Sequence, residues 1–235
     1  GNDRVSDYSR FLYLPDKYLI SSGSYSFGTN TSTLIAGATE SKKGNPKVTW
    51  ETSEKQNYGI DAKFFKDHLS VNFDYFIEHR KNILKSRTVS PGYLAVSLPI
   101  ANIGKVDNKG YEINVKWDDR INEVRYYIGA NLSYAKNKIV FIDEIHYPYE
   151  WMQTEGKPVG QQFGYVFDGY FTAEEAANYE NLKGKEGGIA NQGSGYVPLA
   201  GDVKYKDLNG DGQIDEKDVR DIGYPKYPLY TAGMN

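Results

Sequence analysis

"YGIDAKFFKDHLSVNFDYFI", residues 58–77, decides the fold. Tyr58, Ile60, Ala62 and Phe64 fall on one face, against Asp61 and Lys63 on the other. After the polar break "KDH", Leu69, Val71, Phe73, Tyr75 and Ile77 share a face opposed by Ser70, Asn72 and Asp74. Alternation with period 2 on both sides of a short turn predicts a β-hairpin. Further along, "YEINVKW" aligns Tyr111, Ile113, Val115 and Trp117. Beyond the turn "DDRINE", Val124, Tyr126, Ile128, Ala130, Leu132 and Tyr134 alternate with polar or small residues. That predicts a second hairpin. The chain therefore reads as all-β.

Working outward, residues 1–47 are rich in Ser, Gly, Thr and Asn and read as loop. Residues 48–78 carry the first hairpin, 79–109 a loop and 110–135 the second hairpin. Residues 136–227 read as one long loop, and 228–235 ("PLYTAGMN") as the start of another strand. Within the long loop, "FTAEEAANYENL" predicts one short helix, with Thr172 and Glu175 spaced as a capping box. Short turns at one end of the strands and long loops at the other suit a membrane barrel, whose apolar residues face outward and polar ones inward. A soluble sandwich gives the same alternation, since it needs only one buried face.

Composition narrows the function. The formal net charge of −3, with both signs mixed along 235 residues, argues against a nucleic-acid partner. There is no cysteine, so disulfides and thiolate metal sites are excluded. No apolar run approaches the ~18 residues of a membrane helix, and "GNDRVSDYSR" has no apolar core that would make it a signal peptide. Tyrosine is abundant, at 21 residues. A ring with a polar tip suits a half-wet surface such as a sugar-binding face or a membrane interface.

One motif carries metal chemistry. "DLNGDGQIDEKD", residues 207–218, places Asp207, Asn209, Asp211, Asp215 and Asp218 at positions 1, 3, 5, 9 and 12 of a calcium-type loop. Gly212 at position 6 permits the sharp turn, and Gln213 at position 7 offers its carbonyl. Position 12 is Asp rather than the bidentate Glu of an EF-hand, and no helix precedes the loop. It stands closer to dockerin loops, with a structural Ca2+ expected and a plain cluster of Asx turns as the alternative. His68, His79 and His146 are scattered without ligand spacing. Nothing resembles a nucleophile elbow, a phosphate loop or a catalytic triad, so an enzyme is not expected. Loop aromatics Tyr147, Tyr149, Trp151, Tyr165, Tyr170, Tyr224 and Tyr227 either contact a substrate or partner or fold back as a small core.

Four ordered stretches, residues 47–84, 102–115, 155–171 and 201–228, together with the opening "GNDRV", resemble the SusC family of TonB-dependent outer-membrane transporters. The resemblance implies part of a transmembrane β-barrel with long extracellular loops in a bacterial outer membrane. It implies glycan or peptide import with a SusD-type lid lipoprotein, and coupling to TonB through an N-terminal plug lying upstream. Residues 58–65, 69–77, 111–117 and 124–134 then become membrane strands whose apolar faces meet lipid. Asp61, Asn72, Glu112 and Asn131 then face the lumen. The competing expectation is a secreted, calcium-stabilised, carbohydrate-binding β-sandwich; a glycoside hydrolase fragment would rest on aromatics and acids alone.

Overall fold

The computed structural model of the chain describes residues 13–14, 17–29, 34–87, 98–185 and 187–235. The opening "GNDRV" lies outside them. Two compact units result: one runs to Ile145 and takes back Tyr230–Asn235, the other is His146–Leu229.

The first unit is built on long strands: β1 (Lys17–Ser26), β2 (Leu34–Lys42), β3 (Thr52–Phe64), β4 (Leu69–Lys85), β5 (Ala101–Ile121), β6 (Val124–Phe141) and β11 (Tyr230–Met234). Five of them form an antiparallel sheet in the order β11-β6-β5-β4-β3, while β1 and β2 make a separate hairpin. The expected alternation sets the register: Ile60 opposes Phe73, Phe73 opposes Ile113, and Ile113 opposes Leu132.

Several sequence expectations are corrected here. Residues 1–47 are not all loop, because β1 and β2 pair through a backbone ladder that needs no burial; Ile20 is 85% exposed. Residues 79–109 are not one loop either. The hydrophobic alternation fades beyond Ile77, yet β4 runs on to Lys85 and β5 starts at Ala101. Charged and polar partners such as His79 and Asp107 continue the ladder. A register shift near Asn82, whose φ is +59°, bends that extension. The second hairpin likewise spans 101–141 rather than 110–135, and its turn tightens to residues 122–123. In the first hairpin the turn is residues 65–68, with Phe65, Lys66 and Asp67 all at positive φ. Bulky Phe65 is unusual there, and its ring packs 6.0 Å from Trp117.

The second unit replaces the expected long loop with a small fold. It contains β7 (Gln162–Tyr165), β8 (Phe167–Tyr170), β9 (Val203–Tyr205) and β10 (Val219–Ile222), paired β7–β10 and β8–β9. The expected helix is two short pieces, α1 (Ala173–Ala177) and α2 (Tyr179–Leu182), broken at Asn178 with φ −105° and ψ 9°. The capping box forms: Glu175 N–H donates to Thr172 Oγ1 at 3.1 Å, and Thr172 N–H to Glu175 Oε2 at 2.9 Å. Phe171 and Tyr179, 2% and 1% exposed, meet edge to face at 5.7 Å and make this unit's core.

Candidate functional site

Two features could carry function: the faces of the five-stranded sheet, and the acidic loop. On one face the register stacks like residues into rungs. Tyr58, Tyr75, Tyr111, Tyr134 and Tyr230 are successive cross-strand partners, so one rung is tyrosine on all five strands. Ring centroids along it lie 5.3 Å apart between Tyr111 and Tyr134, and 4.7 Å between Tyr134 and Tyr230. The next rung is Ile60, Phe73, Ile113, Leu132 and Ala232, and the one after is Ala62, Val71, Val115, Ala130 and Met234. Phe64, Leu69, Trp117 and Ile128 follow. Tyr111 to Ile121 gives β5 the ~9–11 residues of a tilted membrane strand. Aromatic rings bound the apolar band at both ends, and the band is uncovered in this chain: Ile60 is 67% exposed and Tyr230 61%.

The opposite face is polar along the same stretch. Asp61, Asn72, Asn114 and Asn131 form one rung, and Asp74, Glu112, Ser133 and Thr231 most of another. Asn72 donates from Nδ2 to Asp61 Oδ1. Three of the four side chains expected inside, Asp61, Asn72 and Asn131, thus share one rung, with Glu112 on its neighbour. Sequence alternation alone showed which face each lies on; only the register shows that they line up.

The acidic loop is ordered by its own backbone N–H groups and two glycine turns. Gly210 and Gly212 sit at φ +77° and +79°. Asp207 accepts from the N–H groups of Gly210 and Gly212, both at 2.7 Å. Asn209 accepts from Asp211 N–H, Asp211 from Gln213 N–H, and Asp215 from Lys217 N–H. Ile214 N–H donates to Asn191 O and Asn191 N–H to Gly212 O, tying the loop to residue 191. Asp218 is fully buried and spends both oxygens on backbone, accepting from Leu208 N–H at 2.8 Å and Asp215 N–H at 2.9 Å.

Lys217 decides the electrostatics. Its ammonium lies 3.0 Å from Asp211 Oδ2 and 3.3 Å from Asp215 Oδ2. The Lys217 contact, helped by Asn209 and Gln213 N–H, holds the Asp211 carboxyl below the usual range, while Asp211 and Asp215 push the lysine up. Among the described residues no three His, Cys, Asp or Glu side chains converge as a metal set. The donor chemistry of Asp207, Asn209, Asp211 and Asp215 suits a hard cation, because carboxylate oxygens retain further lone pairs. In this conformation, however, the lysine supplies the positive charge, and Asp218 acts as a bracket for the loop. Lys217 was not singled out from sequence, although position 11 of the motif is visible there.

Four of the seven loop aromatics meet another ring. Tyr149 stacks on Trp151 at 4.5 Å and 7°, and Trp151 Nε1–H donates to Lys217 O at 2.8 Å, bracing the acidic loop. Tyr147 is half-buried. Tyr165 lies 5.3 Å from Tyr205, and Tyr170 meets Phe167 edge-on at 5.1 Å. Tyr170, Tyr224 and Tyr227 remain exposed, Tyr224 by 83%. Two of the three histidines lie beside aspartates: His79 Nδ1 is 2.8 Å from Asp107 Oδ1, and His68 Nδ1 3.4 Å from Asp119 Oδ1.

Comparison with known proteins agrees with the sheet. Residues 8–231 match the family model described as TonB dependent receptor-like, beta-barrel. TonB-dependent receptor P3 of Formosa agariphila is 28% identical over all of this chain, and TonB-dependent receptor P39 of the same organism is 27% identical over 94%. The chain spans under a quarter of either relative, 23% and 22%. Among solved structures, the RagAB peptide importer in its closed-closed state superposes with a TM-score of 0.60 at 17% identity, over 94% of this chain and 22% of that one. A further RagAB peptide transporter structure gives 0.58. The β-sandwich expectation gives way to barrel wall: the chain belongs to the family of TonB dependent receptor-like beta-barrels.

Proposed function

We propose that this chain supplies part of the wall, and one folded outer loop, of an outer-membrane importer of the SusC kind. The importer takes up glycan or peptide and works with a SusD-type surface lipoprotein as its lid. The observation that carries the reading is the two-faced sheet. Apolar rungs bounded by aromatics suit contact with lipid, and the aligned Asp and Asn rung suits a wet lumen that hydrogen-bonds passing solute. The chain leaves β6 at Phe141 and re-enters the sheet at Tyr230, both at the tyrosine end and opposite the short turns, which supports reading that end as the extracellular one. The RagAB neighbours are peptide importers, which keeps peptide beside glycan as cargo. Energy coupling would run through TonB and a plug outside this stretch.

The test is fractionation of the source cells with an antibody to residues 207–218, comparing boiled with unboiled gel mobility. A heat-modifiable outer-membrane band far larger than 26.6 kDa is expected. A soluble band would overturn the reading.

The acidic loop adds a structural proposal. Ca2+ binds through Asp207, Asn209, Asp211, the Gln213 carbonyl and Asp215, displacing the Lys217 ammonium, with Asp218 holding the loop in shape. Millimolar Ca2+ should then protect the loop from proteolysis, and Lys217→Met should lower the concentration required. Protection that ignores both calcium and the substitution would show that the lysine alone closes the loop.

A further inference from the structure

Just past the tyrosine rung, the same face of the sheet turns from apolar to basic. Lys109 and Lys136 are direct cross-strand partners, two residues beyond Tyr111 and Tyr134, and Lys138 follows one rung on, opposite Asp107. All three lysines are exposed. Like charges set directly opposite each other destabilise a ladder, and the nearby carboxylates do not relieve this pair. Asp107 is engaged with His79 at 2.8 Å, and Glu54 with Lys81 at 2.9 Å. Among the described residues Lys109, Lys136 and Lys138 form no ion pair. Lys105, on the same face, lies 6.0 Å from the Phe141 ring centroid.

Depth gives the patch its meaning. Two residues of strand carry Lys109 about 7 Å beyond the tyrosine rung. That is the thickness of one headgroup layer, roughly 5–8 Å. Resting on the reading of this sheet as barrel wall, we propose that Lys109, Lys136 and Lys138 dock the phosphate-bearing headgroup of a membrane lipid. The lipid's acyl chains then run over the tyrosine rung and the apolar rungs beyond it. Charge complementarity selects an anionic group, and continuity with the apolar band selects a lipid over a free anion. The net negative charge of the chain concealed the patch, because only the register brings lysines from two strands together.

The test uses the full receptor carrying this sequence, as wild type, as the Lys109→Gln, Lys136→Gln, Lys138→Gln triple variant, and as the corresponding triple Lys→Arg variant. Each is reconstituted into phosphatidylcholine nanodiscs doped with a diphosphorylated glucosamine lipid or with the same lipid stripped of phosphate. After transfer to lipid-free detergent, retained lipid is counted by native mass spectrometry. Wild type and the arginine variant should keep the phosphorylated lipid and release the stripped one. The glutamine variant should hold it about fivefold more weakly per lysine removed. Equal retention by wild type and the glutamine variant overturns the proposal, as does retention indifferent to phosphate. Displacement by millimolar inorganic phosphate also overturns it, by marking a free-anion site. Failure of the wall reading looks different: the wild type would neither enter nanodiscs nor show heat-modifiable mobility.

Discussion

At the scale of single residues, Asp218 makes the clearest commitment. It is a carboxylate with no solvent exposure, and it persists there because two backbone N–H groups, from Leu208 and Asp215, share it. Asp218→Ala leaves both donors without a partner and should cost about 2–4 kcal/mol, read as a lower melting temperature and faster proteolysis within residues 207–218. Asp218→Asn, which keeps one acceptor, should cost less. Acid acts elsewhere in the same unit. Lys204 and then the Thr172 N–H lower the Glu175 carboxyl, and Lys157 lowers Asp221. Each group has a folded-state pKa below its unfolded value. Its contribution is therefore present above the ordinary carboxylate range, near 4, and is lost as pH falls below it. Acid titration of melting should show that loss, and Lys204→Met with Lys157→Met should flatten the acid limb while leaving neutral pH less stable. The spacing of Asp207 to Asp218 was legible because loop motifs are local. The bracket role of Asp218 was not, since the Leu208 and Asp215 N–H groups converge on it only once the loop has closed.

At the scale of elements, the strands were legible where one face is apolar and illegible where it is not. Residues 58–77 and 111–134 announce themselves by alternation. The extensions of β4 and β5 past Glu78 and before Lys109 carry His79, Arg80, Lys105 and Asp107, and read as loop. Their ladder is held by backbone pairing, which leaves no mark on hydrophobic period. The same reason hides β1 and β2. Close packing between strands also needs structure to be seen. A Cβ at Gly110 would run into the Tyr134 carbonyl and lie 2.6 Å from Phe76 Cζ and 3.0 Å from Ala135 Cα. Backbone cannot step aside cheaply there, so Gly110→Ala should destabilise by about 1–3 kcal/mol. At Gly59 the nearest atom is Asp74 Oδ1 at 2.8 Å, the end of a flexible side chain that can rotate away. Urea unfolding of the full receptor should rank Gly110→Ala clearly below Gly59→Ala; equal cost would mean the β5–β6 spacing is looser than described.

For the whole molecule the question is what each face of the wall touches, and adjacent residues on β5 answer it. Val115 lies in the middle of the apolar band, between Val71 and Ala130, while Asn114 lies between Asn72 and Asn131 on the polar face. In a soluble two-layer fold, arginine at position 115 would be buried against a second sheet and arginine at 114 would reach water. In a barrel, Val115→Arg places its charge in hydrocarbon and should cost about 2–4 kcal/mol near the bilayer midplane. Asn114→Arg should fold normally and change only which solutes pass. Energy loss alone does not separate the two architectures, so chemical access completes the test. This stretch contributes no background thiol, and with any cysteine elsewhere in the receptor replaced by serine, Val115→Cys and Asn114→Cys are clean reporters. In the full receptor in membranes, a charged water-soluble maleimide should label Cys at 114 through the lumen and leave 115 unlabelled. A tail-brominated lipid should quench a fluorophore at 115 and spare one at 114. The reverse pattern would turn the sheet inside out, and quenching at neither site would remove it from the membrane. The tyrosine rung forecasts the first outcome: tyrosine on all five strands at one level suits a sheet where hydrocarbon gives way to headgroups, the depth at which aromatic belts are enriched.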